Sequence, residues 1–256
     1  MKVEILHQLS NRQKEGRKSF AVLIDPDKVA DSRSLIKLLN MSQENKVDYF
    51  FLGGSLITTN NISQILTIIK DNSNIPVVLF PGSNMQIDSG ADAILFLSLI
   101  SGRNAELLIG QHVVAAPILK KLTMEILPTG YILVNAGSQT TVSYMSNTQP
   151  IPYDKPSVAA CTAMAGEMLG LRLIYLDAGS GAKMPVSAKM IAMVRKSVST
   201  PLIVGGGINS GEKAERILSA GADMIVIGNG IEEKTELLIE VSDRINEINE
   251  SLNVHK

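Results

Sequence analysis

The chain alternates short, nearly uninterrupted apolar runs with longer amphipathic stretches, and few folds are compatible with this alternation. The apolar runs are Phe20–Ile24, Tyr49–Leu52, Val77–Phe80, Ala93–Leu97, Gly130–Val134, Leu173–Leu176, Leu202–Val204 and Met224–Ile227. They consist mostly of Val, Ile, Leu and Phe, which is typical of strands buried on both faces in a parallel sheet covered by helices. The runs therefore predict eight parallel β-strands.

The stretches between these runs carry apolar residues at helical spacing. They are Asp31–Glu44, Ile62–Lys70, Ala105–Leu119, Ser157–Leu169, Ser187–Val198, Gly211–Ala220 and Glu232–Asn249. Eight strands alternating with helices indicate a (β/α)8 barrel, and the length of 256 residues suits a single barrel of about 250 residues. We therefore expect one barrel domain over residues 1–256.

One connection departs from the repeating pattern. Only Pro81–Asp92 separates the third and fourth strands, which is short for a crossover helix with its turns. If the third helix is replaced by a loop, the barrel wall is bare at this point, near Phe80, Met85, Ile87 and Leu97. The sequence therefore predicts an apolar groove beside this loop.

A second unusual connection, Ala136–Pro156, is rich in Ser, Thr, Asn and Pro. A loop of this length is typically a lid or a disordered segment.

Composition and charge exclude several classes of protein. With 24 basic and 25 acidic residues the net charge is −1, so the chain has no basic surplus for nucleic acid. The single cysteine, Cys161, excludes an intramolecular disulfide and is expected to be a packed core thiol. The three histidines fall outside the strand-end loops, so neither a zinc site nor a Ser-His-Asp triad is expected. The longest strongly apolar run, Ile94–Ile100, is too short to span a bilayer, and we expect a soluble cytoplasmic protein.

Two glycine clusters follow the seventh and eighth predicted strands. They are Gly205-Gly206-Gly207 and Gly228-Asn229-Gly230. Active sites of (β/α)8 barrels lie at the carboxyl ends of the strands, and the loops after strands seven and eight commonly bind phosphate. Because glycine lets backbone N–H groups approach an anion closely, these clusters predict a phosphate site. The alternative is that the glycines serve only tight turns.

The sixth strand leads into Tyr175-Leu176-Asp177-Ala178-Gly179-Ser180-Gly181-Ala182. The Gly-Ser-Gly segment extends the predicted phosphate site, and Asp177 is placed to act as general base for a substrate hydroxyl. The alternative is an Asp that caps a turn.

Carboxylates also follow the first strand, in Asp25-Pro26-Asp27, and the hydroxyl of Ser55 follows the second. Carboxylate and hydroxyl oxygens suit Mg²⁺ that bridges to a substrate phosphate. The alternative is an ordinary Asp-Pro turn.

Taken in order along the chain, these segments resemble geranylgeranylglyceryl phosphate synthases. The matching segments are Leu23–Lys28, Phe51–Ser55, Pro128–Tyr131, Tyr175–Ala182, Gly205–Ile208 and Gly228–Asn229. They cover nearly the whole chain, and the segment after the sixth strand is the most specific of them.

The resemblance implies a Mg²⁺-dependent prenyltransferase. Such an enzyme joins sn-glycerol 1-phosphate to a long polyprenyl diphosphate, above all geranylgeranyl diphosphate, and forms an ether lipid precursor and pyrophosphate. The family fold is a modified (β/α)8 barrel whose third helix is replaced by a loop, which opens a groove for the prenyl chain. The likeness also implies a homo-oligomer and transient contact with a membrane surface.

The family's functional residues map onto positions of this sequence. By this resemblance Asp25 and Ser55 hold Mg²⁺, and Asp177 assists deprotonation of the attacking hydroxyl while Tyr175 orients it. The glycerol phosphate ligands implied are Tyr175, Leu176, Asp177, Ala178, Gly179, Ser180, Gly181, Gly206, Gly207, Gly228 and Asn229.

Two positions depart from the family pattern. Asp177 stands where many relatives carry Glu, and Leu23 stands where some relatives carry a phosphate-binding Lys. Two other interpretations remain open: another phosphosugar-binding barrel enzyme, and a catalytically silent barrel that binds a phosphate ligand.

Overall fold

Eight parallel strands form a closed barrel in chain order, with β8 pairing back onto β1. The computed structural model describes residues 4–59, 61–137, 139–228, 231 and 236–254. The strands are β1 Ser19–Ile24, β2 Tyr49–Gly54, β3 Val77–Pro81, β4 Ala93–Leu99, β5 Glu125–Leu133, β6 Leu173–Asp177, β7 Leu202–Gly205 and β8 Met224–Ile227. The predicted barrel is therefore confirmed.

Helices surround the barrel between most strand pairs. They are α1 Ile5–Lys14, α2 Ser32–Glu44, α3 Ile62–Asn72, α4 Gln111–Leu119, α5 Thr141–Ser146, α6 Pro156–Met168, α7 Ala188–Ser197, α8 Gly211–Ser219 and α9 Glu236–Val254. Polar residues fix several starts: the side chains of Asp31, Ser187 and Ser210 accept hydrogen bonds from the first turns of α2, α7 and α8. The start predicted for the last helix, Glu232, lies outside the described residues.

Strand side chains alternate between two hydrophobic layers, which explains why the strands are nearly all apolar. Phe51, Leu95 and Ile203 point into the barrel, whereas Phe50 and Leu52 pack beneath the helices. Both faces of each strand are therefore buried.

The lower end of the barrel is closed by α1, for which the sequence analysis made no prediction. Ile5 and Leu9 of α1 pack into the inner layer. The Glu125 carboxylate at the start of β5 accepts hydrogen bonds from the backbone N–H groups of Ile5 (2.6 Å) and Leu6 (3.1 Å). This carboxylate satisfies N–H groups that the first turn of a helix leaves without partners.

β5 begins at Glu125, five residues before the predicted start at Gly130. In the sequence, Pro128 indicates an interruption of the strand, because proline has no N–H to donate to a neighbouring strand. In the structure Pro128 precedes the paired part of β6, which begins at Leu173, and its carbonyl accepts from the Arg172 N–H at 2.8 Å. Its missing N–H therefore costs no hydrogen bond to β6.

The helix that would follow β3 in a regular barrel is absent, as predicted. The connection from β3 to β4, all of which is described, contains only a short 3₁₀ turn, Asn84–Gln86. Gln86 is buried and its side-chain oxygen accepts from the Gly82 N–H at 2.8 Å, which holds the loop against the barrel. Met85 was expected beside the groove, but its side chain points to solvent and is 94% exposed.

Of the two interpretations of Ala136–Pro156, a disordered segment is wrong for its described part, which contains α5 and in which Ile151 forms a parallel bridge with Val134. The other interpretation, a lid, stays a prediction. The expectation of a packed core thiol at Cys161 is also wrong. Cys161 is exposed on α6 rather than packed in the core, because α6 buries its other face through Ala159, Ala160, Ala163 and Gly166.

None of the helices in the described ranges combines the length and the apolar character needed to cross a membrane.

Candidate active site

Two cavities meet at the carboxyl ends of the strands. One is a polar cavity of about 520 Å³ over the barrel mouth. The other is an apolar groove of about 200 Å³ beside the β3–β4 loop. Gly54, Ser55 and Phe80 line both, so a molecule that occupies the groove can reach into the polar cavity.

Glycines shape the polar cavity after β7. Gly206 and Gly207 have φ of +83° and +70°, a region that residues with a side chain rarely adopt. A Cβ at Gly206 would lie 2.7 Å from the Gly179 nitrogen and 2.8 Å from Asp177 Oδ1. At Gly207 it would lie 2.7 Å from the Met184 carbonyl oxygen. Only glycine fits at either position, and backbone groups therefore face the cavity there.

Asp177 is the buried carboxylate of this cavity. It is 7% exposed. The Tyr131 hydroxyl donates to its Oδ2 at 2.5 Å, and the Gly179 N–H donates to its Oδ1 at 2.7 Å. Burial raises the pKa of Asp177, and these two hydrogen bonds partly oppose that rise. The result is a fixed carboxylate that is more basic than an exposed one.

Tyr175 lies in a cluster of aromatic rings beneath the cavity. Its ring stacks on Phe80 at a centroid distance of 5.4 Å and meets the edge of Tyr131 at 5.5 Å. A Cβ at Gly205 would lie 2.4 Å from the Tyr175 hydroxyl oxygen, so that glycine makes room for the phenol. Burial, and then the Asp177 charge, raise the pKa of Tyr175 well above its usual value. Tyr175 is therefore a neutral hydrogen-bond donor.

Asp25 faces the cavity at the end of β1. Its carboxylate lies 3.8 Å from the position of a Cβ on Gly54, so it points towards β2, which Ser55 follows. Lys28 Nζ is 3.6 Å from Asp25 Oδ2. Among the described residues no cluster of three His, Cys, Asp or Glu side chains could hold a metal.

The neighbouring Asp27 has a structural role instead. Its carboxylate accepts from the backbone N–H and the hydroxyl of both Thr58 and Thr59, at 2.5 to 3.0 Å. These hydrogen bonds lower the pKa of Asp27 to about 2. Asp27 therefore ties the loop after β2 to the end of β1.

The groove lies between β3 and β4, where the barrel lacks a connecting helix. It runs between β4, the β3–β4 loop and α4, and its apolar lining includes Ile87, Ile94, Phe96, Leu97, Leu99, Ala115 and Leu119. His112 is a polar exception: its Nε2 lies 3.2 Å from the Ser98 hydroxyl, while its buried Nδ1 has no hydrogen-bond partner in the described part of the chain. Burial lowers the pKa of His112, so this side chain favours the neutral form.

Most of the residues assigned to the site from the sequence line the polar cavity. They are Asp25, Ser55, Tyr175, Asp177, Ser180, Gly181, Gly206, Gly207 and Gly228. Leu176 and Ala178 instead bury their side chains in the outer layer, so only their backbone can face a ligand. Gly179 contacts Asp177 through its N–H, and Asn229 lies outside the described residues.

Two residues of the site had no role in the sequence analysis. Tyr131 holds the Asp177 carboxylate, and Lys28 lines the cavity beside Asp25. Both belong to segments that carry the family resemblance, and only that resemblance could have identified them from the sequence.

Comparisons with known proteins agree with this geometry. A family model described as the PcrB family matches residues 11–251. The chain belongs to the PcrB family. The geranylgeranylglyceryl phosphate synthase of Spirosoma linguale is 60% identical over 237 residues, which cover 93% of this chain and 95% of that protein. The synthase of Pyrococcus furiosus is 40% identical over 233 residues, which cover 91% of this chain and 92% of that protein.

A solved structure resembles this chain over nearly its whole length. The crystal structure of (S)-3-O-geranylgeranylglyceryl phosphate synthase from Thermoplasma acidophilum, in complex with its substrate sn-glycerol-1-phosphate, superposes with a TM-score of 0.89. The two chains are 30% identical, and the match covers 96% of this chain and 99% of that chain. The predictions of the geranylgeranylglyceryl phosphate synthase family and of a prenyltransferase are thereby confirmed.

Proposed function

We propose that this prenyltransferase transfers a polyprenyl group from its diphosphate to sn-glycerol 1-phosphate, with geranylgeranyl diphosphate as the donor. The observation that carries the proposal is the junction, at Gly54, Ser55 and Phe80, of a polar cavity with an apolar groove. A reaction between a small phosphate and a long hydrocarbon diphosphate needs both compartments. The names of the relatives support the same pair of substrates.

The acceptor fits the polar cavity. Backbone N–H groups at Gly206, Gly207 and Gly228, together with Ser180, offer donors for the phosphate, as glycine-rich loops do in other phosphate sites. The complex of the Thermoplasma acidophilum relative with sn-glycerol-1-phosphate supports this compound as the acceptor.

Asp177 and Tyr175 would handle the glycerol hydroxyl. In the transfer, a bond forms between that hydroxyl oxygen and C1 of the prenyl chain, the bond from C1 to the diphosphate oxygen breaks, and pyrophosphate leaves. The hydroxyl proton passes to Asp177, whose raised pKa makes it a better acceptor than an exposed carboxylate. Tyr175, a neutral phenol, donates a hydrogen bond that orients the glycerol.

The donor fits the groove. Its lining is largely apolar, and burial contributes about 0.8 kcal/mol for each CH₂ removed from water, so a chain of several isoprene units gains substantial affinity. Ser55 lines both cavities, so C1 of a donor whose chain occupies the groove would lie at the barrel mouth.

The donor set at Asp25 and Ser55 fits Mg²⁺. Mg²⁺ prefers oxygen ligands and commonly uses one or two carboxylates together with water and substrate phosphates. One carboxylate and one hydroxyl, at the junction where the diphosphate would lie, match that preference. When bound, the ion would neutralise charge on the diphosphate and so favour its departure.

A turnover assay tests the proposal. The purified protein is incubated with labelled sn-glycerol 1-phosphate, Mg²⁺ and polyprenyl diphosphates of increasing length, and label extracted into organic solvent is counted. We expect transfer that is lost with EDTA and in Asp25→Ala, and retained in Asp71→Ala, which removes an exposed carboxylate of α3. Folded protein that binds glycerol phosphate and transfers no chain would point to the silent barrel. Turnover of another phosphosugar without a prenyl donor would point to the other alternative. A homo-oligomer, transient membrane contact and a cytoplasmic location stay predictions.

A further inference from the structure

We propose that Lys28, which lies beside Asp25 in the turn after β1, binds the diphosphate of the prenyl donor. The inference deepens the proposed function and rests on it. It assigns a substrate contact to a cation in the turn after β1.

The charge of the cavity favours such a contact. Among the described lining residues, the charged side chains are Asp25, Asp177 and Lys28. Both substrates carry phosphate groups, so the cavity brings several negative charges together with two carboxylates. Lys28 contributes the positive side-chain charge of this described lining. An ammonium that meets a diphosphate oxygen forms a charge-assisted hydrogen bond, which is about twice as strong as a neutral one.

The backbone that carries Lys28 is held on both sides. Lys28 ends a 3₁₀ turn, Pro26–Lys28, in which proline fixes the first φ angle. The Asp25 carboxylate accepts from the Asp27 N–H at 3.1 Å, and Asp27 itself is tied to the loop after β2. A side chain from this turn can therefore bind substrate without first ordering its backbone.

The position of Lys28 selects the donor rather than the acceptor. Its Nζ lies 3.6 Å from Asp25 Oδ2, and that carboxylate points towards Gly54, where the groove opens. On the opposite side of β1, the side chain of Leu23 lies 3.4 Å from a Cβ position on Gly228, so β1 presents an apolar group to the glycine loops. A diphosphate whose chain occupies the groove thus meets Lys28, whereas a phosphate on the glycine loops faces Leu23.

Charge removal at Lys28 tests the assignment, with three variants. Lys28→Gln removes the charge and Lys28→Arg keeps it. Lys37→Gln removes a charge from the exposed face of α2 and controls for long-range electrostatics. Steady-state kinetics are measured with each substrate varied in turn, and binding of inorganic pyrophosphate with Mg²⁺ is measured by calorimetry.

In Lys28→Gln we expect the donor KM and the pyrophosphate Kd to rise about tenfold or more, the size expected for a lost hydrogen bond to a charged group. In the same variant the KM for sn-glycerol 1-phosphate should change less than about twofold. In Lys28→Arg the donor KM and the pyrophosphate Kd should both stay within about threefold of the wild-type values. Unchanged donor and pyrophosphate values in Lys28→Gln would overturn the inference, and so would a rise confined to the glycerol phosphate KM. Absence of transfer by the wild-type protein would instead refute the proposed function, which separates the two failures.

Discussion

Gly205 sets the position of the Tyr175 phenol, and Gly205→Ala should move it. The added Cβ would lie 2.4 Å from the Tyr175 hydroxyl oxygen, 3.0 Å from Cε2 and 3.1 Å from Cζ. Gly205 is not among the glycines with positive φ, so alanine meets no backbone strain there. The ring cannot retreat freely, because Phe80 stacks on it and Tyr131 contacts its edge. The clash is therefore the main effect of the substitution.

The expected loss follows from overpacking in a filled interior. Such substitutions typically cost about 1–3 kcal/mol. A loss of 1 kcal/mol lowers Tm by about 2–4 °C in a chain of this size, so Gly205→Ala should lower Tm by roughly 2–12 °C. Transfer to sn-glycerol 1-phosphate should slow as well, since the phenol that orients the glycerol is displaced. Gly211→Ala, whose Cβ would meet nothing closer than 3.3 Å, is the matched control.

A double-mutant cycle isolates the clash. Tyr175→Phe removes the oxygen that lies closest to the new Cβ, so the double variant Gly205→Ala/Tyr175→Phe should lose less stability than the sum of the single variants. We expect a coupling of at least about 1 kcal/mol in thermal or denaturant unfolding. Additive losses, or a Gly205→Ala protein as stable as the wild type, would refute the reasoning. Recovery of stability without recovery of kcat would confirm that the Tyr175 hydroxyl itself contributes to turnover.

Three further outcomes are expected from the site. Tyr131→Phe removes a hydrogen bond that lowers the pKa of Asp177, so that pKa rises further and the acidic limb of the kcat–pH profile should move to higher pH; an unmoved limb would contradict the role of Asp177 as base. Because the folded pKa of Asp27 is about 2, below its usual 3.8, the stability contributed by its ionised form is present above about pH 4 and is lost as the pH falls towards 2. Asp27→Asn should therefore reduce the dependence of the free energy of unfolding on pH across that window. Ala115→Phe fills the groove and should exclude the longest donors while shorter ones still react, as judged from product chain lengths.

Sequence was informative wherever one local property decides the structure. Strands buried on both faces must be apolar throughout, so all eight were recognisable, and the missing third helix follows from the length of one connection. Local patterns could not predict an element that is stabilised by a group distant in the sequence. The start of α1 depends on Glu125, which lies 120 residues from Ile5. Pro128 fits β5 only because β6 begins later.

Some features of the candidate site could likewise be predicted from the sequence, and others could not. Glycine clusters and carboxylates at strand ends could be identified from their order along the chain, because barrel topology brings all strand ends to one rim. The pairing of Tyr131 with Asp177 could not, since it depends on the register of β5 against β6, in which Tyr131 lies opposite Tyr175 and Leu133 opposite Asp177. Met85 was misplaced because its side-chain direction depends on a 3₁₀ turn that apolar character does not reveal.

The short side chain of Asp177 is matched to its surroundings. Its oxygens are fixed by the Tyr131 hydroxyl and the Gly179 N–H, and Oδ1 would lie only 2.8 Å from a Cβ on Gly206. The base therefore lies directly beside the backbone groups proposed to hold the phosphate. A three-carbon phosphate, whose hydroxyls lie within a few bonds of the phosphorus, can reach both at once. If the phosphate binds at Gly206 as proposed, a longer phosphosugar would carry its reactive hydroxyl beyond Asp177, whereas a three-carbon phosphate would keep it within reach.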